Sequence, residues 1–594
     1  MAAKTVRSRV RRRLRKRQRQ AAAVGQQTER NLERYFFGRF DKVGTVWRFM
    51  AAWIALFVLL IGCVVAQNSA LGGYFQTQRP VPGGIFREGI VGSFTNANPI
   101  YATNDVDQAV SHLIFAGLFT YDQQNRLRGD LAESWHVDTS GEVYTVKLRP
   151  NLTWQDGQPL TSADVVFTYR AIQNPDAQSP LHADWAGISV RAIDARTVEF
   201  RLPNPLSSFV YNLTNGIVPE HLLKDVPMTG LRSAAFNTQQ PIGAGPFMWH
   251  DIQVSGDTPA DAQQRIGLLP FAQYWRGQPK LKTFTVNAFA RQQDMVNAYG
   301  TGQLNAMAGL TTVPRGITSA NAQIYNIPLT AANMVFFRMS QGVLSSKAVR
   351  QALVSAAQPE EIIKQLDYTA LPVREPILAS TFAYNPKYAQ VTNKPDQAAA
   401  ALTKAGWKLG TDGVRHKGKQ TLEFGLTAPD TAEDRMVTAQ LKEQWGKIGA
   451  KVDVHLQDDE SFHSSLINHE YDAVIYGITL GVDPDVFVYW DSSQSDVRSA
   501  NRLNLSEYKS STADLALEAG RTRTGEQLRK IKYEPFLKAW QADAPALGLY
   551  QPRFLYIAHS PVYGLTQKAI NTAVDRYDNV SNWMIRTANV TNDK

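Results

Sequence analysis

Residues 131–167 read LAESWHVDTSGEVYTVKLRPNLTWQDGQPLTSADVVF. Within this stretch Glu142–Leu148 alternates so that Tyr144, Val146 and Leu148 share one face, the pattern of a half-buried strand. Leu152-Thr153-Trp154 reads as a second strand, and Asp156-Gly157 as the turn after it. Thr161 and Asp164 then make a capping-box pair ahead of Val165, Val166 and Phe167, so a helix starts there. Strand, strand, turn and helix in such short order point to a mixed α/β fold.

The same alternation recurs in the second half. Val437, Leu441, Trp445 and Ile448 recur at helical spacing, Gly449 stops the helix, and Val452, Val454 and Leu456 alternate as a strand. Another helix opens at Ser346 with Val349 and Leu353, and a third has Pro359 at its start followed by Glu360 and Glu361, acids that suit the positive helix end. No internal repeat is visible. At 594 residues the chain exceeds what one hydrophobic core sustains, so several packed units are expected.

The net charge of +10 belongs to one end. Residues 1–48 carry 15 Lys and Arg, ten of them between Lys4 and Arg19, against three acids. The remaining 546 residues hold 48 basic and 50 acidic side chains and are close to neutral. This removes nucleic-acid binding by the body; binding by the basic tail, which needs only Arg11–Arg19, remains a rival reading. Asn31–Arg48 mixes Tyr35, Phe36, Phe37, Phe40, Val43 and Trp47 with Arg34, Arg39, Lys42 and Arg48. That mixture suits a helix at an anionic membrane face, and equally a disordered topogenic tail.

The tail runs into Phe49–Ala66, FMAAWIALFVLLIGCVVA, which carries no charge and is long enough to cross most of a bilayer. The reading is a cytoplasmic tail at 1–45, a transmembrane helix at 46–66 and a Gly/Pro/Gln-rich linker at 67–84. The basic flank keeps the N-terminus inside and the body extracytoplasmic. Cys63, the sole cysteine, lies in Leu60-Ile61-Gly62-Cys63, which resembles a lipoprotein cleavage box; lipidation of Cys63 is the alternative to a retained span. With one cysteine there is no disulfide.

Catalytic constellations are missing. His469-Glu470 opens like a zinc-protease motif, but Ala473 stands where the second His belongs, and His463 and His469 share no helix face. Gly243-Ala244-Gly245 has Met248 where a dinucleotide fingerprint needs Gly. Neither a phosphate-binding loop nor a GxSxG elbow is present. The expectation is no enzyme, no cofactor and no metal. Asp483 and Asp485 flank Pro484 and read either as a ligand site or as a solvated turn.

From about Glu88 to Leu565 the chain resembles the large extracytoplasmic solute-binding proteins of peptide and nickel ATP-binding-cassette importers, bacterial solute-binding protein family 5. The resemblance rests on Asn98-Pro99 with Ala116-Gly117-Leu118, on the motifs of 131–167, on Gly243–Phe247 and on Tyr274-Trp275-Arg276-Gly277. It continues through Val349–Leu353, Ala405-Gly406-Trp407, Tyr471-Asp472 and Asp543–Leu547. Trp135, Phe167 and Trp275 are expected in the core, and Gly243 and Gly245 are expected to serve a turn of unusual φ.

The resemblance implies a bilobal periplasmic-binding-protein-like fold. Lobe I would span 85–330 with an accessory subdomain at about 116–235, lobe II 331–544, and 545–594 would return to lobe I. It implies a monomeric receptor that holds a peptide or other small solute between the lobes and delivers it to permease subunits. A transmembrane sensor using the same body, or a receptor for a non-peptide solute, is the alternative. The ligand-binding residues implied are Thr95, Asn98, Asn333, Ile478, Thr479, Leu480 and Asp483. Peptide receptors of this family often anchor the peptide's amino terminus with an Asp just ahead of the Asp-Pro segment; that place falls at Leu480 here, with Asp483 as the possible substitute.

Overall fold

The computed structural model describes residues 21–25, 29–30 and 38–591, apart from 257, 259–260, 497, 500–501 and 566–567. The basic run Arg11–Arg19 lies outside the described residues, as does Asn31–Phe37 of the proposed interfacial segment. The chain forms two compact units, a terminal one of residues 1–79 and 587–594 and a body of residues 80–586.

In the terminal unit a helix spans Gly38–Phe75, and the described residues 21–25 and 29–30 are helical as well. Its stretch Val46–Gln67 is long and apolar enough to cross a membrane, and its side chains are exposed, Cys63 among them. The linker expected at 67–84 is not irregular. The helix continues through Phe75 and gives way directly to a strand, Gln76–Val81, which pairs with the strand Arg586–Thr591. Backbone hydrogen bonding overrides the Gly and Pro content here, because a strand neighbour satisfies groups that a free linker leaves to water.

Lobe I of the body is built on a seven-stranded sheet. Its order is Gln323–Pro328, Arg553–Ala558, Ala306–Leu310, Ile85–Val91, Thr283–Phe289, Gln263–Pro270, Phe247–Ser255. The central strand Ile85–Val91 runs parallel to both of its neighbours. An accessory sheet of four antiparallel strands, Ala132–Val137, Val143–Leu148, Thr197–Arg201 and Ser189–Asp194, stands beside it. Tyr144, Val146 and Leu148 are buried as the alternation requires. Thr161 and Asp164 form the reciprocal capping box of the helix Ser162–Gln173. Leu152–Trp154 is not a strand. Thr153 makes one bridge to Pro159, and the Trp154 amide bonds the Gln158 carbonyl at 2.8 Å, so the segment closes a tight loop on itself.

Two further expectations in this region are corrected. Trp135 is 42% exposed, its ring edge-on to Phe119, while Phe167 and Trp275 are half-buried against the core. Trp135 lies on an edge strand, whose outward positions meet solvent. Gly243 and Gly245 do not adopt positive φ. Their requirement is close approach: a Cβ on Gly243 would stand 2.0 Å from the Ile114 carbonyl oxygen, and one on Gly245 2.7 Å from it.

Lobe II carries a five-stranded sheet in the order Lys451–Gln457, Glu423–Pro429, Ala473–Thr479, Ala331–Phe337, Ala546–Tyr550. Both its faces are covered, which explains why Ala331–Phe337 is apolar at every position but Asn333. Val335 and Phe337 face one core, and Ala332, Met334 and Phe336 the other. The helix Ala432–Gly446 buries Val437, Leu441 and Trp445, and Gly449 turns at φ +81° into the strand Lys451–Gln457. The Trp445 indole donates to the Leu353 carbonyl at 2.9 Å and ties this helix to Lys347–Ala356.

The chain passes between the lobes at Leu329–Thr330 and again at Gln551–Pro552. The second passage follows the expected boundary at 545, because Ala546–Tyr550 still pairs with Ala331–Phe337 in the lobe II sheet.

Candidate functional site

The two passages lie side by side. The Leu329 amide donates to the Pro552 carbonyl at 3.0 Å, and the Gln551 side chain donates to the Leu329 carbonyl at 2.9 Å. The Thr330 carbonyl accepts the amides of Leu480 and Gly481, each at 2.9 Å, and its hydroxyl donates to Asn571 Oδ1 at 2.7 Å. Gly481 sits at φ +65°, a conformation that costs glycine little. The hinge thus touches the Leu480 turn on one side and the C-terminal return segment on the other.

Asp483 and Asp485 are not a solvated turn. Asp483 receives both terminal nitrogens of Arg529, at 2.7 and 2.6 Å, and the pair is buried. The fork geometry matches carboxylate and guanidinium bond for bond. Asp485 accepts the Ser208 hydroxyl at 2.8 Å and lies 3.3 Å from Arg521 Nε. The Ser207 amide and hydroxyl both donate to the Arg521 carbonyl, at 2.8 and 2.9 Å. Ser207 and Ser208 belong to the accessory part of lobe I, so these bonds join the two lobes.

The residues named from sequence fall into separate groups. Thr95 is exposed, and its hydroxyl is bound to Asp107 at 2.5 Å. Asn98 is fully buried and spent on local structure, donating to Asn237 and accepting the Ile100 amide. Asn333 is half-buried and paired in register with both Gly477 and Tyr550. Ile478 and Leu480 point into the lobe II core, whereas Thr479 is exposed with its carbonyl accepting the Tyr489 hydroxyl at 2.8 Å. Beyond Val474 the strand Ala473–Thr479 has no partner on its Glu423–Pro429 side among the described residues.

A cavity of about 400 Å³ opens within lobe I, between the helix Asp105–Ile114, the accessory subdomain and the return segment 571–578. All its lining residues come from lobe I and the return segment, and Asn571 connects it to the hinge. The return segment is pinned by a buried ion pair, Arg576 Nη2 to Glu88 Oε2 at 3.0 Å, with the Tyr577 hydroxyl on the same carboxylate. Thr572 and Asp575 cap its short helical turn, Asp575 accepting the amides of Asn571 and Thr572. Asp578 Oδ1 meets His112 Nε2 at 3.2 Å and accepts the Thr120 hydroxyl at 2.9 Å. Asp130 Oδ1 accepts the Trp275 indole at 2.9 Å and Arg276 Nη2 at 2.7 Å.

Burial and the charge of Asp578 push the Asp575 carboxyl up to about 6. Burial disfavours the His112 imidazolium, but its hydrogen bond to Asp578 and the charges of Asp578, Asp575 and Asp130 outweigh that and hold its pKa above the ordinary value. Sequence reasoning missed this cluster. The one local signal was Thr572 and Asp575, spaced as Thr161 and Asp164 are.

The family described as bacterial extracellular solute-binding proteins, family 5 Middle, matches residues 126–499, a span that includes the whole of the stretch 131–167. The chain belongs to this family. Its members are transport receptors rather than enzymes, consistent with the α/β body. The oligopeptide-binding protein AppA of Bacillus subtilis is 25% identical over 516 residues, covering 84% of this chain and 92% of AppA. NikZ from Campylobacter jejuni, solved with Ni(L-His), superposes with a TM-score of 0.68 at 24% identity over 84% of this chain and 99% of NikZ. CtaP from Listeria monocytogenes superposes at 0.72 with 23% identity, covering 85% and 99%. These structural likenesses establish the bilobal fold.

Proposed function

We propose that this family 5 protein is a membrane-anchored receptor that captures peptides between its lobes on the extracytoplasmic side and delivers them to the permease of an ABC importer. The observation that carries the reading is the pair of adjacent passages at Leu329–Thr330 and Gln551–Pro552, the only backbone passages between two independently cored lobes among the described residues. Such a joint lets the lobes close on a solute with few dihedral changes. AppA, solved with a nonapeptide, is a relative that favours peptides.

The proposed ligand-facing set is Thr95, Asn98, Asn333, Ile478, Thr479 and Leu480, with the backbone carrying most of the contact. The free side of the strand beyond Val474 supports main-chain pairing with an extended peptide, a mode that tolerates varied side chains. Asp483, committed to Arg529, supports the loop rather than the ligand. The helix Gly38–Phe75 supplies the anchor, with the basic tail inside. Mass spectrometry of small molecules released by denaturing the purified full chain tests the reading. Peptides are expected; recovery of a non-peptide solute, with no peptide bound in titration, would overturn the peptide assignment and leave the receptor role.

A further inference from the structure

We infer that the lobe I cavity is a subsite for a positively charged group of the solute, an ammonium or a guanidinium. The inference rests on the reading that solute enters beside the hinge.

The donor and acceptor inventory of the cavity is lopsided. Asp130, Asp575 and Asp578 all line it, and the first two are buried. Arg276 is the one arginine or lysine among the lining residues, and its two terminal nitrogens are engaged: Nη2 serves Asp130 and Nη1 donates to the Asp578 carbonyl at 2.7 Å, while its buried Nε has no partner among the described residues. The second oxygens of Asp130 and Asp578 accept no hydrogen bond among the described residues, since Trp275, Arg276, His112 and Thr120 all address Oδ1. Tyr274, only 6% exposed, also lines the cavity, and its hydroxyl has no hydrogen-bond partner among the described residues. Three acceptor positions are therefore open toward the cavity; Arg128, an exposed arginine on the adjoining wall within electrostatic reach of Asp130 and Asp578, forms no ion pair with them among the described residues.

Carboxylates kept from water need a compensating charge. The cavity already recruits one by holding His112 toward its protonated form and has Arg128 on the adjoining wall, but neither donates to the open oxygens of Asp130 and Asp578. A ligand cation with several N–H donors supplies the missing donors together with a charge the carboxylates favour. Tyr121, Tyr211 and Tyr274 add ring faces that favour a cation over a neutral amide. The volume, about 400 Å³, suits a side chain or a chain end rather than a whole large ligand. Leu480 leaves lobe II without a charged anchor in the turn next to the hinge, and the lobe I acceptors stand on the other side of that hinge, connected through Thr330 and Asn571.

The test uses the full chain in detergent micelles and calorimetric titration. The first probe is agmatine, which carries a guanidinium and an ammonium but no carboxylate. It is expected to bind saturably, and Asp578→Asn to weaken it about tenfold or more. Tyr274→Phe, which keeps the packing, is expected to weaken it by a smaller factor with an unchanged melting temperature. Two peptide pairs identify the source of the cation: Ala-Ala-Ala-Ala with and without an acetyl cap, and acetyl-Ala-Arg-Ala-Ala against acetyl-Ala-Gln-Ala-Ala. The charged member of at least one pair should bind about tenfold more tightly, and Asp578→Asn should abolish that preference. If folded wild-type chain shows no saturable agmatine binding, or both variants bind it as the wild type does, the inference is overturned. Peptides that bind irrespective of charge overturn it while sparing the peptide reading. Agmatine binding as expected, with no peptide bound at all, does the reverse.

Discussion

Glu375 shows what one buried carboxylate does to the body. It is fully buried, its Oε1 has no partner, and its Oε2 takes only a 3.3 Å bond from the Asn385 amide. Burial pushes its carboxyl up to about 7 from an ordinary 4.5. The folded chain therefore holds this proton more tightly than the unfolded chain. Its favourable contribution is complete below about pH 4.5 and is lost as pH rises through 7. Glu375→Gln, which cannot ionise, should be more stable than wild type by about 2 kcal/mol at pH 8 and no more stable at pH 5. Thermal melts at the two pH values check this; a variant destabilised equally at both would show that the native carboxylate has a partner after all. Single residues were also where sequence reading went astray. The Gly243 and Gly245 requirement comes from Ile114, more than a hundred positions earlier, and no window around the glycines contains it.

Elements whose logic is local were legible, and those held by distant partners were not. The box of Thr161 and Asp164, the strand Val143–Leu148 and the helix-to-strand unit from Val437 to Leu456 all follow from periodicity and caps within a few residues. The family motifs likewise lie in the lobe scaffolds, so the two lobes and their accessory sheet could be read. The Asp483–Asp485 loop could not, because Arg529 stands 46 residues away on the helix Glu526–Asp543 and Ser208 lies 277 residues earlier. The cavity stayed hidden for the same reason, its acids being brought together only by the return segment. The Asp483–Arg529 pair makes a sharp prediction at this scale. Arg529→Met leaves a buried carboxylate without its counter-charge and should cost about 3–5 kcal/mol, whereas Asp483→Leu combined with Arg529→Met should recover most of the loss. Denaturant titration of the three proteins decides it; a single variant as stable as wild type would mean that water replaces the arginine.

Across the whole molecule, the contacts between accessory subdomain and lobe II set how readily the lobes stay together. Ser208 to Asp485 and Ser207 to Arg521 are contacts between the chain's own residues, so part of the free energy of closure is intrinsic to the chain. A ligand shifts the open and closed populations only by its differential affinity, and apparent affinity falls with the fraction of chain able to bind. Replacing both Ser207 and Ser208 with Ala removes two side-chain hydrogen bonds and keeps the Ser207 amide contact. At about 0.5 kcal/mol net for each partly exposed bond, the closed-to-open ratio should drop about fivefold. Dyes at Ile193→Cys and Leu515→Cys, both exposed positions on opposite sides of the contact, with Cys63→Ser, report the distance between the lobes. Energy transfer in the unliganded variant should fall below that of the parent, then recover fully at saturating Ala-Ala-Ala-Ala with a weakened apparent Kd. Equal transfer in both proteins without peptide would show that the hinge at Thr330 and Gln551, and not the serine contacts, fixes the angle between the lobes. A Kd that stays constant while transfer falls would mean that peptide binds the open form, and closure would then follow capture rather than contribute to it.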